Sequence, residues 1–415
     1  MNLVRIIPFL LLLLALGAAQ AQVPARKPVK KPVALDYTIE FLPRQDQARI
    51  TIALGKGGER IKRLALKFDA KRYSGFKATQ GTFAATASGK ATWTPAGAGS
   101  RLVYLVRITR QRDSGDYDAR MTADWALFRG DKVIPFVTAR MKKNSDVVAH
   151  LSFKLPPGWT NVDTGWKRLP QNRFVIDNPE RSFDRPIGWI IAGKVGTRYD
   201  VLGMTEVAVG APKGDPLDRM DALTMVNFIW PEAESAFGGM PKKILIVGAG
   251  DPMWRGGLSA SNSMFLHSER PLVSENATST LFHELTHVIT RIRGEDRSDW
   301  IAEGLAEYYS IELSWRAGGM SDRRRERVYA NLREWSRDVK SLRTSQSNAA
   351  ITARAVLLLH DLDVEIRKRT GDEKDIDNVT RILRFMRKVS TLEFIAVTEK
   401  VLGGKSKVLA TPLLR

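Results

Sequence analysis

The chain has 415 residues, with 65 Lys and Arg against 45 Asp and Glu, a net charge of +20, and no cysteine. At 43% hydrophobic and 27% charged it can bury a large core, so it is not disordered as a whole, and its length suggests two or three domains. Without cysteine there is no disulfide framework, thiol catalysis, iron–sulfur cluster or Cys-ligated zinc, so any metal must be held by His, Asp or Glu. Only five histidines are available: His150, His267, His283, His287 and His360.

Residues 1–21 carry the pattern of a secretory signal peptide: Arg5, the apolar run 6–17, and the small-x-small ending Ala19-Gln20-Ala21. The run is shorter than the roughly 20 apolar residues of a membrane span, and no later segment is long and apolar enough. The expectation is an exported, periplasmic or secreted protein that is not an integral membrane protein once the signal is cleaved. Residues 22–34 are basic and Pro-rich and are expected to form an extended linker.

From 35 to 190 the pattern is that of strands. Tyr37, Ile39 and Phe41 alternate with less apolar residues, as do Ile50, Ile52 and Leu54, and then Leu64, Leu66 and Phe68. Residues 102–108 form a longer, more buried candidate, and the Gly- and Asp-rich stretches 55–58 and 112–116 supply turns. Period two with turn punctuation predicts an antiparallel β-sandwich. His150 stands alone in it and has the setting of a structural histidine.

From 191 to 405 the pattern changes, so the fold class is α+β. Residues 216–236 predict a helix broken or bent near Pro231. Residues 243–247 predict a short apolar strand, and nearly everything beyond Thr278 predicts helix. Val328, Leu332, Trp335 and Val339 fall on one helical face. The Arg-rich stretch 323–327 is the solvated side of that helix, and residues 406–415 are expected to be a C-terminal tail.

The informative segment is Leu281-Phe282-His283-Glu284-Leu285-Thr286-His287, an H-E-x-x-H motif. Residues four apart stack on one helix face, so His283 and His287 can bind one metal, with Glu284 placed to reach a metal-bound water. Leu281, Leu285, Val288 and Ile292 form the core-facing stripe, and Gly294 is a natural helix stop. A catalytic zinc needs a third protein ligand. In the segment 299–309, Asp299 can cap a second helix, on which Glu303 and Glu307 again share a face. Glu303 is the expected third ligand. Glu307 is expected behind it, accepting a hydrogen bond from a ligand imidazole.

The motif followed by Trp300, Glu303, Gly304, Ala306 and Tyr308 resembles the thermolysin-like gluzincin metallopeptidases, and within them the glycyl aminopeptidase family. Segments 156–159, 185–188, 256–258 and 315–318 resemble further motifs of that family. The resemblance implies a β domain followed by a mostly helical, thermolysin-like zinc peptidase domain. It also implies a peptide or protein substrate bound along Gly257, Leu258 and Ser259, with Glu284 as general base for a zinc-activated water.

Three features depart from the family. Ser259 stands where a Glu usually holds the substrate's free amino end, which points to an endopeptidase or an atypical aminopeptidase. No Tyr occupies the expected oxyanion position near 351–355, leaving His360 or Tyr329 as candidates for that role. The PDZ domain that members often carry is not expected here. The alternative is a non-catalytic, zinc-containing envelope protein that binds peptides or anionic polymers. The basic surface suits anionic envelope components. No nucleic-acid module is recognisable, so no nucleic-acid partner is expected.

Overall fold

The computed structural model describes residues 30–178, 183 and 185–415. The expected signal peptide, and the linker as far as residue 29, lie outside the described residues.

The first strand, Lys31–Leu42, buries Val33, Leu35, Tyr37, Ile39 and Phe41 while the intervening residues stay partly or fully exposed. The period-two phase thus continues back through Val33, and residues 31–34 belong to the sheet rather than to the linker. Prolines are tolerated at such a strand start. This strand lies near the middle of a seven-stranded sheet, which packs with four- and five-stranded sheets around one core. Gln47–Leu54 and Arg101–Arg107 pair antiparallel in the expected phase. One pair differs from the antiparallel expectation: Lys31–Leu42 runs parallel to Ser145–Lys154. That pairing joins segments more than a hundred residues apart, and no local pattern reports it.

The second half is built on a mixed five-stranded sheet. Its order is Val195–Leu202, Thr205–Pro212, Lys243–Ala249, Ser263–His267, Gly257–Ala260. Helix α1, Arg219–Phe237, crosses between two parallel strands. Asp218 caps its start, and Gly238 ends it in a left-handed conformation with φ of 65°. It continues through Pro231 as a single element, so the helix is not broken there.

Six more helices follow: α2 (Thr280–Thr290), α3 (Asp299–Arg316), α4 (Asp322–Trp335), α5 (Ala349–Thr370), α6 (Ile376–Met386) and α7 (Thr391–Leu402). Helix α3 is the hub of this half, burying Trp300, Ile301, Leu305, Tyr308, Tyr309 and Ile311. Gly304 permits its contact with α5, since a Cβ there would lie 2.8 Å from the Cβ of Ala355.

Two local expectations fail. Trp335 is 59% exposed at the end of α4 and Val339 lies beyond the helix, while Tyr329 joins Val328 and Leu332 on the buried face. The expected C-terminal tail is packed: Leu409 and Leu414 join the core, and Glu365 accepts hydrogen bonds from Ser406, Lys407 and Val408.

Candidate metal centre

Helix α2 begins at Ser279, whose hydroxyl accepts from the Phe282 N–H, and it buries Leu281, Leu285 and Val288. It stops at Arg291, in a left-handed conformation with φ of 56°. Gly294 is not the stop; it pairs with Val389 in a short two-stranded sheet. Helix α3 is tied to the start of α2 by the Ser279 N–H, which donates to the Ser310 hydroxyl. Asp299 is the first residue of α3 rather than its cap, and its carboxylate accepts from the Ser347 N–H.

The two helices bring three donor groups together. His283 Nε2 and His287 Nε2 are 3.2 Å apart. One Glu303 oxygen lies 3.3 Å from His283 Nε2, and the other lies 3.4 Å from His287 Nε2. His283, His287 and Glu303 form a group that could hold a metal ion. Behind them, Glu307 sits 2.8 Å from His283 Nδ1, which fixes the ring and leaves Nε2 facing Glu303 and His287.

Without a metal, this convergence favours protons. Burial lowers the His283 pKa, but hydrogen bonds to Glu303 and Glu307 outweigh it and hold the value at about 10. Burial raises that of Glu303, but hydrogen bonds from His283 and His287 hold it well below the usual carboxylate range. A cation is thus favoured between these groups. The donor set also fits zinc: two imidazoles and a carboxylate, each offering one atom within 4.8 Å of the others.

Glu284 is buried and lies against the strand Gly257–Ala260. A Cβ at Gly257 would come within 2.7 Å of Glu284 Cγ and 2.6 Å of Thr280 Cγ2, so only glycine permits this approach. The strand is the edge of its sheet, antiparallel to Ser263–His267 across the turn Ser261-Asn262. The His267 N–H donates to the Gly256 carbonyl. By the alternation of antiparallel pairs, Leu258 and Ala260 also face the neighbouring strand, while Gly257 and Ser259 turn their backbone groups to the open edge. Ser259 shares the Gly257 face. The residues expected to bind substrate therefore lie beside the expected general base.

The two oxyanion candidates are not brought to this group. The Tyr329 hydroxyl donates to Glu312, 2.7 Å away, and Arg325 pairs with the same carboxylate. The ring of His360 packs 4.2 Å from that of Tyr329, and its Nδ1 faces Asp361. Both belong to the packing of α3, α4 and α5. His267 is buried, with Nδ1 accepting from the Glu269 N–H and Nε2 facing Asp251. It forms a second His–carboxylate group with Asp251 and Glu269, but the guanidinium of Arg255 already pairs with both carboxylates. Sequence reasoning missed Trp189, whose indole N–H donates to the Leu258 carbonyl from the other half of the molecule. It follows the Arg185–Gly188 motif directly, the nearest signal that could have drawn attention to it.

The α+β architecture, β-rich sheets followed by a helical region, matches that of two-domain M1 zinc metallopeptidases. Three solved structures illustrate the likeness. An aminopeptidase N family protein from Idiomarina loihiensis superposes with a TM-score of 0.63 at 13% identity, over 88% of this chain and 72% of that one. A mutant M1 zinc metallopeptidase from Deinococcus radiodurans, bound to a Tyr-Ser-Ala substrate, gives 0.60 at 15% identity, over 93% and 94%. Legionella pneumophila aminopeptidase A, in complex with aspartic acid, gives 0.56 at 14%, over 93% of this chain and 49% of its own. No protein-family model matches the sequence, and no curated protein matches it. Among the described residues, no helix is long and apolar enough to cross a membrane.

Proposed function

We propose that this chain is an exported zinc metallopeptidase. The observation that carries the reading is the convergence of His283, His287 and Glu303 into one possible metal group, with Glu284 on the same helix and against an open strand edge. Zinc held there would acidify a water molecule and polarise the scissile carbonyl. Glu284 then takes a proton from the attacking water and delivers it to the leaving amine. Glu307 keeps the His283 ring oriented through its Nδ1 proton. The open backbone groups of Gly257 and Ser259 pair with an extended peptide, a β-addition mode.

Two finer readings belong to this proposal. The likeness to glycyl aminopeptidases supports an α-amine subsite near Ser259, but a serine hydroxyl gives no charged anchor there. We therefore favour endopeptidase or atypical aminopeptidase activity. The signal-like segment 1–21 supports a periplasmic or secreted location, and the positive charge suits contact with anionic envelope components.

The placement of Tyr329 and His360 away from the metal group favours a second reading, a zinc-containing binding protein without turnover. The variant Glu284→Gln separates the two. Under the peptidase reading it lowers cleavage of a peptide mixture by about 100-fold to 10,000-fold, with zinc content retained. Cleavage that survives intact would refute this mechanism, and a wild-type protein that binds zinc but cleaves nothing would favour the second reading.

A further inference from the structure

The edge strand Gly257–Ala260 is only four residues long and pairs on one side only, with Ser263–His267 of the five-stranded sheet. Further support comes from the N-terminal half of the molecule. Trp189 opens the strand Trp189–Gly193, which pairs on both sides within the β-rich half. Its indole Nε1–H donates to the Leu258 carbonyl at 2.9 Å. Its backbone N–H donates to the Ser263 hydroxyl at 2.8 Å, and that hydroxyl donates to the Ser261 carbonyl at 3.0 Å. Its ring packs 5.3 Å from Phe265, the residue opposite Leu258. One residue therefore grips both strands of the hairpin and its turn. Gly188, with φ of 86°, allows the approach, since a Cβ there would lie 2.4 Å from the Ser261 carbonyl oxygen.

The loop leading into the strand is held from the same half. The Tyr117 N–H donates to the Pro252 carbonyl, the Trp254 N–H donates to the Tyr117 carbonyl, and the Arg112 guanidinium lies 4.4 Å from the Trp254 ring.

We propose that Trp189 is a positioning residue for peptide binding, acting through the backbone of Leu258. The proposal rests on the reading of Gly257–Ala260 as the substrate strand. The physical link is a single peptide plane. The Leu258 C=O and the Ser259 N–H belong to one trans peptide and point in opposite directions. The carbonyl faces Ser263–His267, and the indole that holds it there keeps the Ser259 N–H toward the open edge, where a substrate carbonyl would accept it. The same grip sets the strand against Glu284 at Gly257. The β-rich half then acts directly on the substrate side of the site, although it contributes none of the metal ligands.

The test compares the zinc-loaded full chain with two variants. Trp189→Phe keeps an aromatic ring against Phe265 and removes the indole donor. Ser263→Ala removes the second anchor, the hydroxyl that accepts from the Trp189 N–H and donates to the Ser261 carbonyl. Amide exchange in 257–260 should rise about fivefold to tenfold in Trp189→Phe, which loses one hydrogen bond, and at least as much in Ser263→Ala, which loses two. Exchange in α2 and zinc content should not change. On a quenched-fluorescent peptide mixture, KM should rise several-fold in Trp189→Phe, with kcat changed by less than about twofold. Unchanged exchange in 257–260 in a folded variant would overturn the proposal. So would a rise shared equally by α2 with loss of zinc, which would mark Trp189 as a general packing residue. If the wild-type protein cleaves no peptide, the peptidase reading fails, and the exchange arm still decides for or against the grip.

Discussion

The two walls of the candidate site are built in different ways. The metal wall lies within 279–316: two adjacent helices, tied by Ser279 and Ser310, present His283, His287, Glu303 and Glu307 at helical spacing. The substrate wall is a four-residue strand whose position depends on Trp189 and Tyr117, residues some 70 and 140 positions away. The metal wall should therefore survive changes in the β-rich half, while the substrate wall should not. Under the proposed function, a site assembled this way would lose peptide binding and keep zinc.

The largest expected effect comes from breaking the metal wall. His287→Ala leaves two of three ligands, and we expect zinc stoichiometry to fall from one per chain to near zero, with peptide cleavage lost; mass spectrometry of the native protein checks the metal. Next is the contact where the walls meet. Gly257→Ala places a Cβ 2.7 Å from Glu284 Cγ, so the carboxylate must shift. A displacement of about 1 Å at such a group costs about 100-fold. We expect kcat to fall by that order with zinc retained, measured by steady-state kinetics beside metal analysis. Loss of zinc in this variant would mean that the walls are not separable.

Glu307→Gln tests the support behind the ligands. Loss of the charged acceptor at His283 Nδ1 should weaken zinc binding by about tenfold to 100-fold, read by competition with a chelating dye. The smallest effect concerns Tyr329. Tyr329→Phe removes one hydrogen bond to the buried carboxylate of Glu312, which keeps its Arg325 partner. We expect about 2 kcal/mol of lost stability in denaturant unfolding and peptide turnover unchanged within about twofold. A large drop in kcat with stability intact would return Tyr329 to the oxyanion role.

The same division explains what was legible in the sequence. The metal wall rests on i,i+4 spacing, which is local and visible: His283 with His287, and Glu303 with Glu307. The buried stripe of Leu281, Leu285 and Val288 was visible for the same reason. Details that depend on the end of an element were not. Gly294 looked like the stop of α2, yet Arg291 takes the left-handed position, and Asp299 looked like a cap but serves Ser347. Long-range pairing was invisible as well. Nothing near residue 31 announces a parallel partner at 145, and nothing near Leu258 announces Trp189. Tyr329 and His360 drew attention by residue type, but burial against Glu312 and against each other decided their place.

Zinc-dependent peptide hydrolysis at the His283–His287–Glu303 group is open to one direct check: digestion of a proteome-derived peptide library by the purified protein, with metal measured in the same sample. We expect one zinc per chain, with cleavage that stops on chelation and returns when zinc is restored. Cleavage that persists after complete chelation, or a folded protein that takes up no zinc, would contradict it.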